Sequence, residues 1–252
     1  MDLKLFNTLI YGWIALAAIT FFSLFFVSAP YGRFIRKKWG PEIPNWLGWI
    51  IMELPSPLIL TYCIISGTGE KPLMVWFLMG LWLLHYIHRT FVYPFRITSR
   101  NKKMPFLIAL MAIFFNIGNG FFNGYYFGNY AGDLNDYHFT SFSFLLGLAL
   151  FIIGAIMNQH SDQILINLRK NNNKGYYIPY GGMFRFVSSP NYLGELIEWL
   201  GFAIIAGSLP AFSFFIWTCA NLIPRALDNH KWYRKTFTDY PSERKAIFPY
   251  IL

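Results

Sequence analysis

Apolar residues along the chain gather into seven long blocks separated by shorter polar stretches. The blocks cover residues 5–28, 46–66, 72–92, 104–122, 139–157, 192–207 and 212–223. A helix needs roughly 20 apolar residues to cross the hydrocarbon of a bilayer. The first five blocks reach or approach that length. The last two are shorter and are parted by little more than "SLPA" (208–211), which predicts a tight helical hairpin or a pair of tilted spans. The first block is too long and too aromatic for a cleaved leader, so it reads as the first span. The expected class is all-α: one polytopic membrane domain over residues 1–252 with seven transmembrane helices.

The polar stretches orient this bundle. Of the 21 Lys and Arg residues, 18 fall in the segment after block one (Arg33, Arg36, Lys37, Lys38), the segment after block three (Arg96, Arg100, Lys102, Lys103), the segment after block five (Arg169, Lys170, Lys174, Arg185) and the C-terminal tail. The other side carries Lys4 and Lys71, and the loop after block four holds Asp133 and Asp136 with no basic residue. Basic loops stay cytoplasmic. The pattern therefore predicts a non-cytoplasmic N-terminus and a cytoplasmic C-terminus. It also explains most of the net charge of +9 as topology, without a nucleic-acid partner. Composition agrees: 55% of residues are hydrophobic and 13% charged, against roughly 25% charged in a soluble domain. Cys63 and Cys219 both lie in apolar blocks and give neither a disulfide framework nor a metal-site spacing.

Ionisable residues inside such blocks are functional candidates, because each is costly unless satisfied. Glu53 stands in "IIMELPSPLIL" (50–60), just ahead of Pro55 and Pro57, which favour a broken helix and a cavity wall. "HYIHRTFVYP" (85–94) places His85, His88 and Arg89 on one helix face and Tyr86 deeper in the block. No third ligand accompanies the two histidines, so they read as hydrogen-bonded groups and no metal is expected. "NQHSD" (158–162) ends an apolar block. In "SSPNYLGELIEW" (188–199), Ser189 suits an N-cap and Pro190 the first helical turn. Asn191, Glu195 and Glu198 then share a face that must look into protein or water. "GNGFFNG" (118–124) lacks the spacing and the preceding strand of a dinucleotide fingerprint, and reads as a glycine-rich helix end or packing face. These residues describe a polar, acid- and tyrosine-lined interior opening toward a basic face, suited to an anionic cofactor or substrate.

Taken in order, "MELPS", "LHYIHRTFVYP", "GNGFFNGYY", "NQHSDQILINLRK", "YIPYGGMFRFVSSPNYLGELIEWLGFA" and "DYPSERKAIFPYIL" resemble the steroid 5α-reductase family, from about residue 52 to the C-terminus. The resemblance implies a seven-helix membrane oxidoreductase that uses NADPH to reduce the Δ4 double bond of a 3-oxo-Δ4-steroid, with hydride delivered to C5. It implies that Glu53 and Tyr86 form the catalytic pair gripping the steroid 3-carbonyl. It assigns Asn158, Asp162, Arg169, Asn191, Glu195, Arg225 and Tyr233 to cofactor positions, with Tyr93, Arg100 and Tyr176 as further contacts and the cofactor part mainly in 93–252. Two features depart from the family. Asp228 and Asn229 replace histidines in the tail, so Asn229 takes a cofactor position with a donor that carries no charge. Met52 stands where mammalian relatives commonly have an amide. The implied partners are an apolar steroid-like substrate and the bilayer, with no obligate protein partner. The implied location is the endoplasmic reticulum in a eukaryotic member or the inner membrane in a bacterial one. Alternative readings on related scaffolds are a sterol, enone or trans-2-enoyl thioester reductase and an isoprenylcysteine-type methyltransferase. A lipid-binding protein without activity is a further one.

Overall fold

A computed structural model describes residues 1–28, 34, 40–97, 102–136, 139–171 and 175–252. Every predicted apolar block lies in helix: α1 (Leu3–Phe26), α2 (Asn45–Glu53), α3 (Pro55–Ser66), α4 (Leu73–Ile87), α5 (Tyr93–Arg96), α6 (Phe106–Asn129), α7 (Phe142–Asn171), α8 (Pro190–Ala206) and α9 (Leu209–Thr236). Among the described residues, four stretches are long and apolar enough to cross a membrane: Leu3–Phe26, Asn45–Ser66, Phe106–Asn129 and Phe142–Lys170. The protein is thus a mainly helical membrane protein. The remaining expected spans fall short of that standard for different reasons. Helix α4 has 15 residues and α8 has 17, whereas α9 is long but carries the charged sequence of the tail through Thr236. The chain divides into two compact units, Met1–Ala29 with Leu145–Leu252, and Pro30–Phe144.

In the Pro30–Phe144 unit, the predicted break behind Glu53 is present. Helix α2 stops at Glu53 and α3 begins at Pro55. Pro55 and Pro57 have no N–H for the carbonyls one turn back, so the ladder is interrupted there. A second irregularity follows α4, where His88–Val92 forms one π-helical turn ahead of Pro94. The wider turn accommodates a proline that cannot donate to the preceding turn. Strands β1 (Glu42–Pro44) and β2 (Lys103–Pro105) pair antiparallel, Ile43 opposite Met104, and lead into α2 and α6.

Helices α3 and α6 meet along a stripe of glycines. A Cβ on Gly120 would lie 2.9 Å from the Ser56 carbonyl oxygen, one on Gly124 2.7 Å from that of Leu60, and one on Gly128 2.3 Å from that of Cys63. "GNGFFNG" is therefore a packing face, as expected, but it lies within α6 and is not its end. Small residues let two backbones touch where lipid supplies no hydrophobic drive.

In the other unit, α1 packs on α9, with Trp13 and Trp217 rings 4.8 Å apart. Helices α8 and α9 form the predicted hairpin, turned by Gly207 at φ +55°, a left-handed conformation that suits glycine. Helices α7 and α8 again touch through glycine: a Cβ on Gly154 would fall 2.3 Å from the Glu198 amide nitrogen, and one on Gly194 2.5 Å from that of Asn158. The basic, aromatic-rich C-terminal tail divides in two. Its first part continues α9, and its last part adds backbone bonds to the strand-like 186–189 segment, Ser188 N–H to Lys245 O and Ser189 N–H to Ala246 O. Arg244 is buried there, donating to the Pro179 carbonyl and lying over the rings of Tyr180 and Tyr240.

Candidate active site

In the Pro30–Phe144 unit, a buried polar group forms around Tyr86. Tyr86, buried at the end of α4, stacks on Trp82, whose indole N–H donates to Ser56 Oγ at 3.1 Å. The ring is thereby fixed one turn from the α3 break. The Tyr86 hydroxyl donates to Asn116 Oδ1 at 3.3 Å. Asn116 Nδ2 in turn donates to the Met52 carbonyl and, at 3.4 Å, to Glu53 Oε2. The two predicted catalytic residues are brought together, with Asn116 touching both. Asn116 is the residue that sequence reasoning missed. Its signal was present: Asn116, Gly120, Gly124 and Gly128 repeat every fourth residue, a small-and-polar stripe in an apolar helix.

Below this group, at the α4 end, the Arg89 guanidinium lies over Trp49 and Tyr93 at 4.8 and 5.0 Å, a packed cation and no free one. Arg96 Nη1 is 3.1 Å from His88 Nε2.

The unit of α1 and α7–α9 holds a second polar group at the start of α8. The glycine crossing of α7 and α8 sets Asn158 and Asp162 against Asn191 and Glu195. Asn158 Nδ2 donates to the Asn191 carbonyl at 3.0 Å and to Glu195 Oε2 at 3.4 Å, and Asn191 Nδ2 donates to Asp162 Oδ1 at 3.1 Å. Asp162 is buried. Arg225, also buried, reaches the same turn by donating to Tyr192 Oη at 3.0 Å. Asn229 donates to Ser189 Oγ at 3.3 Å. Ser189 thus occupies the N-cap position as predicted, yet its hydroxyl makes no capping bond. Tyr233 stands one turn beyond Asn229, stacked on Tyr240 at 5.3 Å.

Three predicted cofactor residues lie outside this cluster. Arg169 is exposed in the last turn of α7, Tyr176 packs edge-on against Trp232, and Tyr93 is in the other unit against Trp49. Arg100 lies outside the described residues.

The first group thus holds a hydroxyl, an amide and a carboxylate, and the second holds amides, acids and a buried arginine. The family model described as 3-oxo-5-alpha-steroid 4-dehydrogenase matches residues 102–252. The chain belongs to the steroid 5-alpha-reductase family. It is 38% identical over 254 residues to the steroid 5-alpha-reductase of Gossypium hirsutum, covering 99% of this chain and 98% of that one. It is 37% identical to 3-oxo-5-alpha-steroid 4-dehydrogenase 1 of Bos taurus, over 98% of this chain and 97% of the bovine one. With 3-oxo-5-alpha-steroid 4-dehydrogenase 2 of Homo sapiens it shares 40% identity over 85% of this chain and 84% of the human one. As a member of the steroid 5-alpha-reductase family the protein is an oxidoreductase acting on CH–CH bonds.

Proposed function

We propose that the protein reduces the Δ4 double bond of a 3-oxo-Δ4-steroid to the 5α-3-oxosteroid, with NADPH as reductant. The observation that carries this reading is the buried hydroxyl of Tyr86, held in one polar group with Glu53 through Asn116. An enone accepts hydride poorly until its carbonyl is polarised. In this reading the Tyr86 hydroxyl donates to the 3-carbonyl oxygen and stabilises the negative charge that develops there, with Glu53 as the acid of the same polar group. A proton then reaches the α-carbon from Tyr86 by tautomerisation or from water.

The donor set at the start of α8 fits the proposed cofactor. Asp162 and Glu195 are acceptors for ribose hydroxyls or a carboxamide, Asn158 and Asn191 supply donors beside them, and Arg225 is the cation for a phosphate. Asn229, Tyr233, Tyr93, Arg100, Arg169 and Tyr176 complete the proposed set, which makes 93–252 the main cofactor part of a single functional domain. A bound NADPH supplies the reducing equivalent. In the bilayer, residues 72–92, 192–207 and 212–223 join the four long stretches to give seven spans, with the N-terminus non-cytoplasmic and the C-terminus cytoplasmic. Reporter fusions after each loop check this topology.

The decisive experiment follows loss of NADPH absorbance with testosterone or progesterone and identifies the product by mass spectrometry with deuterated NADPH. Glu53→Gln and Tyr86→Phe are expected to lower kcat by about 100-fold or more, in line with loss of an oxyanion donor, while NADPH still binds. Near-native turnover by either variant would sink the proposed roles. Deuterium found elsewhere than C5 would sink the proposed reaction.

A further inference from the structure

Helices α3 and α6 run in one register. Gly120 meets Ser56 and Gly124 meets Leu60, each pair 64 residues apart, and the bond from Asn116 Nδ2 to the Met52 carbonyl keeps the same separation. Asn116 is therefore the next tooth of the glycine stripe, one turn beyond Gly120, where the side chain is no longer glycine but an amide. It falls at the α3 break, where the prolines interrupt the helical ladder.

We propose that Asn116 is a positioning residue for the reaction: its amide anchors Glu53 and holds the Tyr86 hydroxyl as a donor until a substrate carbonyl takes the Asn116 oxygen's place. This rests on the reading of Tyr86 and Glu53 given above. The orientation of the amide is dictated by its partners. The Met52 carbonyl can only accept, so Nδ2 faces it, and Nδ2 has a second hydrogen for Glu53 Oε2. Oδ1 is then turned to Tyr86 and can only accept, which makes the tyrosine hydroxyl the donor. An arriving carbonyl oxygen meets a hydroxyl already aligned to donate. The benefit lies in the transition state, where the carbonyl oxygen gains charge, and so belongs to kcat more than to KM.

The test uses the full chain in detergent with testosterone and NADPH, and measures kcat and KM from mildly acidic to mildly alkaline pH. Asn116→Leu keeps the size but neither donors nor acceptor. It is expected to lower kcat about tenfold or more, with a smaller change in KM, as for loss of a group supporting proton donation. In Asn116→Asp the ionised carboxylate can only accept, and it faces Glu53 and the Met52 carbonyl. Once protonated, it again offers one donor and one acceptor. The rate of Asn116→Asp relative to the native protein should therefore rise as pH falls. A residue that merely packs α6 against α3 would give a ratio that is the same at every pH, and that result overturns the proposal. So does an Asn116→Leu variant with native kcat. If Asn116→Leu does not fold, the pH ratio of Asn116→Asp still decides. Glu53→Gln and Tyr86→Phe are measured alongside. If these two retain turnover, the carbonyl reading fails. If they lose it while the Asn116 variants behave as native, only the Asn116 assignment fails.

Discussion

Ser188 shows how single side chains lock the α9 end to the tail. Its hydroxyl lies 2.6 Å from both His230 Nδ1 and Tyr240 Oη and 3.1 Å from the Lys245 carbonyl. Burial, helped by Arg234 and Lys245, pulls the His230 imidazole below its ordinary value of 6.5, while burial pushes the Tyr240 phenol up. The folded chain thus binds fewer protons at His230 than the unfolded chain. Stability is full above pH 6.5 and is lost as pH falls from there through the lowered folded value. Melting temperature measured against pH should show this acid limb, and His230→Asn should flatten it. An unchanged limb would assign it to other groups. Of these residues the sequence made Glu53 and Tyr86 legible, because an acid and a phenol in apolar runs are individually costly. Asn116 stayed illegible because an amide in a glycine stripe looks like packing until its distance to Met52 and Glu53 is known.

At the level of elements, the glycines carry the sharpest expectations. A methyl on Gly124 would meet the Leu60 carbonyl, and one on Gly154 the Glu198 amide nitrogen, both backbone atoms that cannot swing aside. Gly124→Ala should cost about 1–3 kcal/mol, as overpacking does, and should reduce turnover through the displaced Asn116. Gly154→Ala should weaken NADPH binding, since Asn158 sits one turn further along α7. Gly80 is helical, and a Cβ there meets nothing within 4 Å. Gly80→Ala should therefore change stability by no more than about 1 kcal/mol. Thermal denaturation of the three variants separates these outcomes; equal effects would argue against the stripes. Hydrophobic block lengths revealed the helices, and Pro55 with Pro57 revealed the α2–α3 break. The π-turn at His88–Val92 and the continuation of α9 to Thr236 were not visible, because neither has an apolar period of its own.

Over the whole molecule, the two polar groups belong to different compact units, the Tyr86 group to Pro30–Phe144 and the Asp162–Asn191 group to the unit of α1 and α7–α9. Their losses should be separable. Tyr86→Phe is expected to leave NADPH affinity within about twofold, while Arg225→Met, which removes the cation proposed for a cofactor phosphate, should weaken it by about 1.5–3 kcal/mol, the range for hydrogen bonds to charged groups. Titration of NADPH by thermal shift measures both. Equal loss of affinity in the two variants would contradict the division. Sequence order could not show this division, because α1 joins helices that begin more than a hundred residues later, and the packing of α1 on α9, Trp13 against Trp217, reveals the partnership.

The shared register of α3 and α6 has a consequence for length. One residue inserted inside either helix turns everything beyond it by about 100°, so the contacts of the Asn116–Gly128 row that lie beyond the insertion would be lost together. Side chains on the outer sides, such as Leu58 and Tyr62 on α3 or Leu110 and Met111 on α6, are exposed and can be exchanged among apolar types. This pair of helices should therefore tolerate many spellings and almost no change in count.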